Sequence, residues 1–146
     1  MSRNDDGIGF LVADITRLMR RRFAEELKAG RVRLTLGEAR ALVYISRREG
    51  LRQVELAALL ESQPITVARL VDRLAKAGYV ERRADPADRR AYRLHLRAAA
   101  KEPLARIARA TEAVRRQTLQ GLPAREAAAL ARALDLIRGN LGGSPA

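Results

Sequence analysis

The stretch that most restricts what this chain can fold into is Pro64-Ile65-Thr66-Val67-Ala68-Arg69-Leu70-Val71-Asp72-Arg73-Leu74-Ala75-Lys76-Ala77. At about 100° per residue, Val67, Leu70, Val71 and Leu74 share one face, the i, i+3, i+4, i+7 spacing of a helix docked on a core. The opposite face carries Ile65, Arg69, Arg73 and Lys76, with Thr66 on its flank. Ile65 is an apolar residue near the start of a basic, outward face. A solvated surface has no use for it, whereas a thymine methyl group in a major groove does. Gly78 follows as a helix-ending C′ residue.

What surrounds this helix fixes its use. Gln53–Leu60 reads as a shorter helix and Glu61-Ser62-Gln63 as a turn, so two helices are joined by about three residues, the spacing of a helix-turn-helix. Downstream, Tyr79–Arg83 is a short strand, Ala84–Arg90 a polar turn, and Ala91–Leu96 a returning strand with alternating side chains. The alternation points Tyr92, Leu94 and Leu96 inward and Arg93, His95 and Arg97 outward. The pattern is a winged helix-turn-helix with arginines at the tip of the wing.

These residues resemble the MarR family of bacterial transcription regulators. The resemblance is carried by Leu56-Ala57, Pro64, Thr66-Val67, Arg69–Leu74, Gly78, Val80, Arg82, Asp85-Pro86, Asp88-Arg89-Arg90, Leu94 and Leu96. Gln63-Pro64 and Lys101-Glu102-Pro103-Leu104 are similar to its SlyA-like branch. Two departures stand out. The family usually has Thr-x-x-Gly after the second wing strand, where this chain has Arg97-Ala98-Ala99-Ala100. An arginine cannot cap the following helix as a threonine does. The serine usual at the head of the recognition helix is replaced by Gln63, with Ser62 one residue earlier, so either is the N-cap. The resemblance implies DNA contacts from Gln63, Ile65, Thr66, Arg69, Arg73 and Lys76 of the recognition helix and from Asp88, Arg89 and Arg90 of the wing. Arg90 matches the family's wing arginine.

Charge agrees with a polyanionic partner without proving one. The 146 residues carry 29 Lys and Arg against 17 Asp and Glu, a net +12, which favours nucleic acid. The excess is spread over the chain, so it counts because part of it sits on the right motif. Cysteine is absent, which rules out a disulfide framework or thiol switch. The sole histidine, His95, lies on the outward side of a wing strand, and no Gly-rich phosphate loop or ligand-spaced metal cluster occurs. Asp85 and Asp88 lie beside Arg82, Arg83, Arg89 and Arg90 and read as salt-bridge partners that stiffen the hairpin. No enzyme, metal or cofactor is expected. Five Tyr and Phe residues at apolar or strand positions offer no stacking platform for unpaired RNA bases. No signal peptide or membrane span fits, and a cytoplasmic location is expected.

The flanks complete the architecture. A long amphipathic helix is expected over 7–29, with Ile8, Leu11 and Ile15 on its apolar stripe. Thr35 and Glu38 form a capping box at the head of a second helix. After the wing, residues 100–141 hold two more helices, the first regular from Lys101 because Pro103 suits only a first turn. The second opens at Pro123, and Leu119, Leu130, Leu134, Ile137 and Leu141 supply apolar positions. The expected fold is mainly α with a small β wing, one domain over 1–146. A winged helix-turn-helix at 34–97 is flanked by N- and C-terminal dimerisation helices. Few aromatics are available to fill a monomeric core, and symmetric pairs dominate among oligomers, so a homodimer is expected. The function expected is a sequence-specific, double-stranded-DNA-binding regulator, a repressor on a pseudo-palindromic operator. The resemblance adds a small aromatic or phenolic ligand, bound between the dimer helices and the winged domain, that releases it. The alternatives are a winged-helix module for protein contacts, or a constitutive architectural DNA-binding protein without ligand response.

Overall fold

The computed structural model describes residues 7–143. Their elements run α1 (Ile8–Ala29), α2 (Leu36–Arg47), β1 (Leu51–Arg52), α3 (Gln53–Leu59), α4 (Pro64–Lys76), β2 (Val80–Ala84), β3 (Tyr92–Leu96), a 3-10 turn (Ala98–Ala100), α5 (Lys101–Thr118) and α6 (Ala124–Asn140). The mainly helical fold with a small antiparallel sheet is the one the sequence predicts. The chain divides into two compact units, Met1–Val114 and Arg115–Ala146, with the boundary inside α5, where one domain is expected.

In the first unit, local signals and packing coincide. Thr35 Oγ1 accepts from the Glu38 backbone N–H and the Glu38 carboxylate accepts from the Thr35 N–H, so α2 opens on the predicted capping box. Pro64 takes the first position of α4, where its missing N–H costs nothing. Gly78 ends that helix at φ +81°, a conformation that costs glycine little. Val67, Leu70, Val71 and Leu74 are all buried, and they join Leu42, Ile45, Leu56, Val80, Leu94 and Ile107 in one core. Each fully buried Leu, Ile or Val contributes about 1.5–3 kcal/mol through water exclusion. Aromatics contribute little to this core, with Phe23, Tyr44 and Tyr79 at its margin.

The sheet is ordered β1-β3-β2, both pairings antiparallel. The two-residue β1 has no counterpart in the sequence reading: it is too short for any periodicity, and it exists only because Leu51 and Arg52 pair with Leu94 and Arg93. Two side-chain expectations also change. Tyr92 is 48% exposed because it pairs with Ala84 at the outer end of the hairpin, beyond the body that covers Leu94. His95, expected outside, is half-buried: its ring lies under 4 Å from where a side chain on Gly50 would begin.

The flanking helices are less engaged. Along α1 only Leu27 is buried, and Ile8, Leu11 and Ile15 are exposed. In the second unit α6 buries none of its residues; Leu130, Leu134, Ile137 and Leu141 are exposed and Leu119 is half-buried. As Pro103 requires, α5 is regular from Lys101, while Pro123 caps α6 rather than forming its first turn.

Candidate nucleic-acid interface

The turn between α3 and α4 is built by backbone conformation. Leu60 closes α3, Glu61 adopts φ +51°, and the Ser62 hydroxyl donates to the Leu60 carbonyl. Of the two N-cap candidates, Gln63 takes the place, and it makes no side-chain capping bond. With the inward residues locked in the core, Ile65, Thr66, Arg69, Arg73 and Lys76 face outward and are exposed. Ile65 is 63% exposed, an apolar surface that no described residue covers. Among the described residues, the Arg69 and Lys76 side chains make no ion pair or hydrogen bond. Arg73 differs: its Nε donates to Glu38 Oε1 at 2.6 Å.

The wing is closed by its aspartates. Asp85 N–H donates to the Ala91 carbonyl, Asp85 Oδ1 accepts from the Ala87 N–H, and Asp88 Oδ1 accepts from the Arg90 N–H. These bonds hold a turn on which Asp88, Arg89 and Arg90 are exposed, and neither arginine side chain has a partner among the described residues. The pairing expected between the aspartates and the neighbouring arginines is not what forms. Asp88 bonds backbone. Asp85, 2% exposed, places Oδ2 at 2.9 Å from Arg52 Nε and 3.2 Å from Arg93 Nε. The reason is register: β1, β3 and β2 set Arg52, Arg93 and Arg83 abreast on one face, and like charges side by side repel. Asp85 sits where it offsets two of them, and Glu81 binds the third. The Ala87 N–H, and then the Arg52 and Arg93 charges, hold the Asp85 carboxyl below its ordinary range against the opposing effect of burial.

Wing and helices are fastened by Arg82, whose Nε donates to Gln53 Oε1 (2.9 Å), whose Nη2 donates to the Ala68 carbonyl (3.1 Å) and whose Nη1 lies 2.7 Å from Asp72 Oδ1. One guanidinium thus joins the start of α3, the middle of α4 and β2. The sequence pattern assigns Arg82 to the aspartates of the wing and gives Gln53 and Arg52 no partner. Pairings across about thirty positions leave no periodic trace, so no local signal finds them. At the head of α3, where Arg52 offers no acceptor, the Glu55 carboxylate accepts the Arg52 N–H. That bond, ahead of Arg48, lowers the Glu55 pKa.

Among the described residues no three His, Asp or Glu groups converge to hold a metal ion, and no helix is long and apolar enough to cross a membrane. The arrangement is an exposed helix with a basic, partly apolar outer face, beside a hairpin tipped with unpaired guanidiniums.

These features define a winged helix-turn-helix. Residues 34–92 match the sequence profile of the MarR family. A MarR transcriptional regulator from Methanosarcina mazei Go1 superposes with a TM-score of 0.81 at 21% identity, over 93% of this chain and 96% of that one. The transcriptional regulator SlyA gives 0.75 at 27% identity, over 92% and 93%. A MarR family regulator from Silicibacter pomeroyi gives 0.76 at 25%, over 90% and 88%. No curated protein matches the chain. Over residues 34–92 the chain is similar to the MarR family, and its fold is that of solved MarR transcriptional regulators.

Proposed function

We propose that this chain is a homodimeric repressor that reads a pseudo-palindromic operator in double-stranded DNA. Here α4 lies in the major groove, with Gln63, Ile65, Thr66 and Arg69 near base edges and Arg73 and Lys76 along the phosphates. Asp88 shapes the wing tip, and Arg89 and Arg90 reach the adjacent minor groove, where a narrow A·T-rich stretch attracts arginine. The observation that carries this reading is the outer face of α4. An exposed isoleucine stands there beside the unpartnered Arg69 and Lys76, on a helix fixed in the core by four buried residues.

Dimerisation is supported by the apolar residues that α1 and α6 each leave in water: Ile8, Leu11 and Ile15 on one, Leu130, Leu134, Ile137 and Leu141 on the other. Leu119 adds to the second set. Ligand release is part of the same proposal. A concavity of about 420 Å³ between the end of α1 and the start of α2 has Leu27, Val32 and Leu34 in its wall and Lys28, Arg31 and Arg33 around it, chemistry suited to a small aromatic acid or phenol.

Selection of bound sequences from random duplex DNA, with sedimentation of the free protein, tests this. A two-fold symmetric site and a dimer at micromolar concentration are expected. Failure to enrich any sequence, or a folded monomer, refutes the corresponding half.

A further inference from the structure

We propose that Glu38, on α2 and outside the helix-turn-helix itself, is a positioning residue for nucleic-acid contact, holding the Arg73 guanidinium oriented on the outer face of α4. The inference rests on the reading that α4 lies against DNA and adds a residue to it.

Glu38 does more than a capping box requires. Its Oε2 accepts from the Thr35 N–H at 3.1 Å, which completes the cap and fixes the carboxylate at the head of α2. Its Oε1 is then free of the helix, and it accepts from Arg73 Nε at 2.6 Å, thirty-five positions on. The Glu38 side chain is 9% exposed while that of Arg73 is 57% exposed, so the anchor is inside and the cation outside. The two helices meet closely here because residue 37 is glycine: a Cβ there would stand 3.2 Å from Leu70 Cδ1, one turn before Arg73. Among the described residues only Nε of Arg73 is engaged; its two terminal amino groups remain for an acceptor on a partner. A short, charge-assisted bond to one guanidinium nitrogen restricts the orientations open to the group. Arg69 and Lys76, on the same outer face, have no such tether. Arg73 therefore meets a phosphate already ordered, and less side-chain freedom is lost on binding.

The charge of Glu38 gives a test whose sign decides. As a mere negative charge near DNA it opposes binding, and removing it strengthens the complex. As a positioning group its removal weakens the complex although the protein becomes more positive. Affinity for the duplex selected by the intact protein is measured against salt for Glu38→Gln, Arg73→Ala, the double variant and Thr35→Ala. The comparison is made at a temperature where each variant retains the intact protein's circular dichroism. Glu38→Gln is expected to bind about 2- to 10-fold more weakly, the ordering cost of one long side chain. Arg73→Ala flattens the log–log salt dependence by about one unit. The double variant should bind like Arg73→Ala alone. Thr35→Ala removes the other half of the cap and leaves the tether, so it lowers the melting temperature while affinity and salt slope stay put. Unchanged or tighter binding by Glu38→Gln overturns the proposal, as do full additivity in the double variant and an Arg73→Ala that binds like the intact protein. If the intact protein selects no duplex, the DNA-binding reading itself fails, a result distinct from any of these.

Discussion

Replacing Arg82 with methionine isolates the fastening between wing and helices, because the aliphatic part of the side chain is kept and the three polar links are lost. The magnitude follows from where each link lies. The pair with Asp72 contributes little: the Asp72 side chain is 63% exposed, and an exposed ion pair is worth about 0–1 kcal/mol. The bonds to Gln53 Oε1 and the Ala68 carbonyl are part-buried. Bonds from a charged donor contribute about 1.5–3 kcal/mol each when fully enclosed. The Ala68 carbonyl also sits inside the α4 ladder and is not orphaned, and Gln53 is near enough to solvent to recover a partner. The expected loss is therefore about 2–3 kcal/mol, which at this chain length is a fall of about 6–12 °C in melting temperature. Urea denaturation of Arg82→Met beside Asp72→Asn, at one protein concentration, measures it. A cost under about 0.5 kcal/mol for Arg82→Met, or an Asp72→Asn that costs as much, refutes this fastening.

Two further outcomes concern the proposed interface. Arg90→Ala should weaken operator binding at fixed salt and leave thermal stability unchanged, since its guanidinium has no partner among the described residues; unchanged affinity removes Arg90 from the site. Arg69→Ala should cost about 1–3 kcal/mol and relax preference at one base pair per half-site if Arg69 is bidentate to a guanine. Isotherms against operators altered at each position check it, and uniform weakening with preference intact marks a phosphate contact instead.

Where local physics decides, the sequence was enough. The Thr35 and Glu38 cap, Pro64 at the head of α4, Gly78 at its end and the buried row from Val67 to Leu74 all follow from rules spanning four to seven residues. What escaped depends on long-range register. The strand Leu51–Arg52 is defined by a partner forty residues away. Tyr92 and Leu94 share a strand face, yet only Leu94 is buried, because alternation assigns a face and not how far the body extends beneath it. The charged side chains escaped for a related reason. Glu38 was legible as a cap but not as the partner of Arg73, and nothing near Arg52 marked it as a counter-charge to Asp85. Composition shows that arginines abound; only the sheet register shows which ones must be offset.

That register makes the wing sensitive to acid, and the sign follows from the carboxylates around it. Asp85 is held below its ordinary value of 3.8 by the Ala87 N–H and the Arg52 and Arg93 guanidiniums, and Glu81 below 4.5 by Arg83. Glu55, at the head of α3, is lowered by the Arg52 N–H. A carboxyl whose folded pKa is depressed binds protons more readily unfolded than folded. Its contribution is present in full above the unfolded value and is lost as pH falls through the folded one. Stability should thus be flat from about pH 7 down to about pH 5 and fall below about pH 4. Protonating Asp85 has a particular consequence: Arg52 and Arg93, directly opposed across the sheet, then face each other with no counter-charge between them. Asp85→Asn imposes that state at every pH. The variant should be less stable than the intact protein at neutral pH, and its stability should fall less steeply below about pH 4, because one titrating group is gone. Denaturation midpoints across the range measure both. Parallel curves for the two proteins would show that Asp85 is not among the groups whose protonation destabilises the fold.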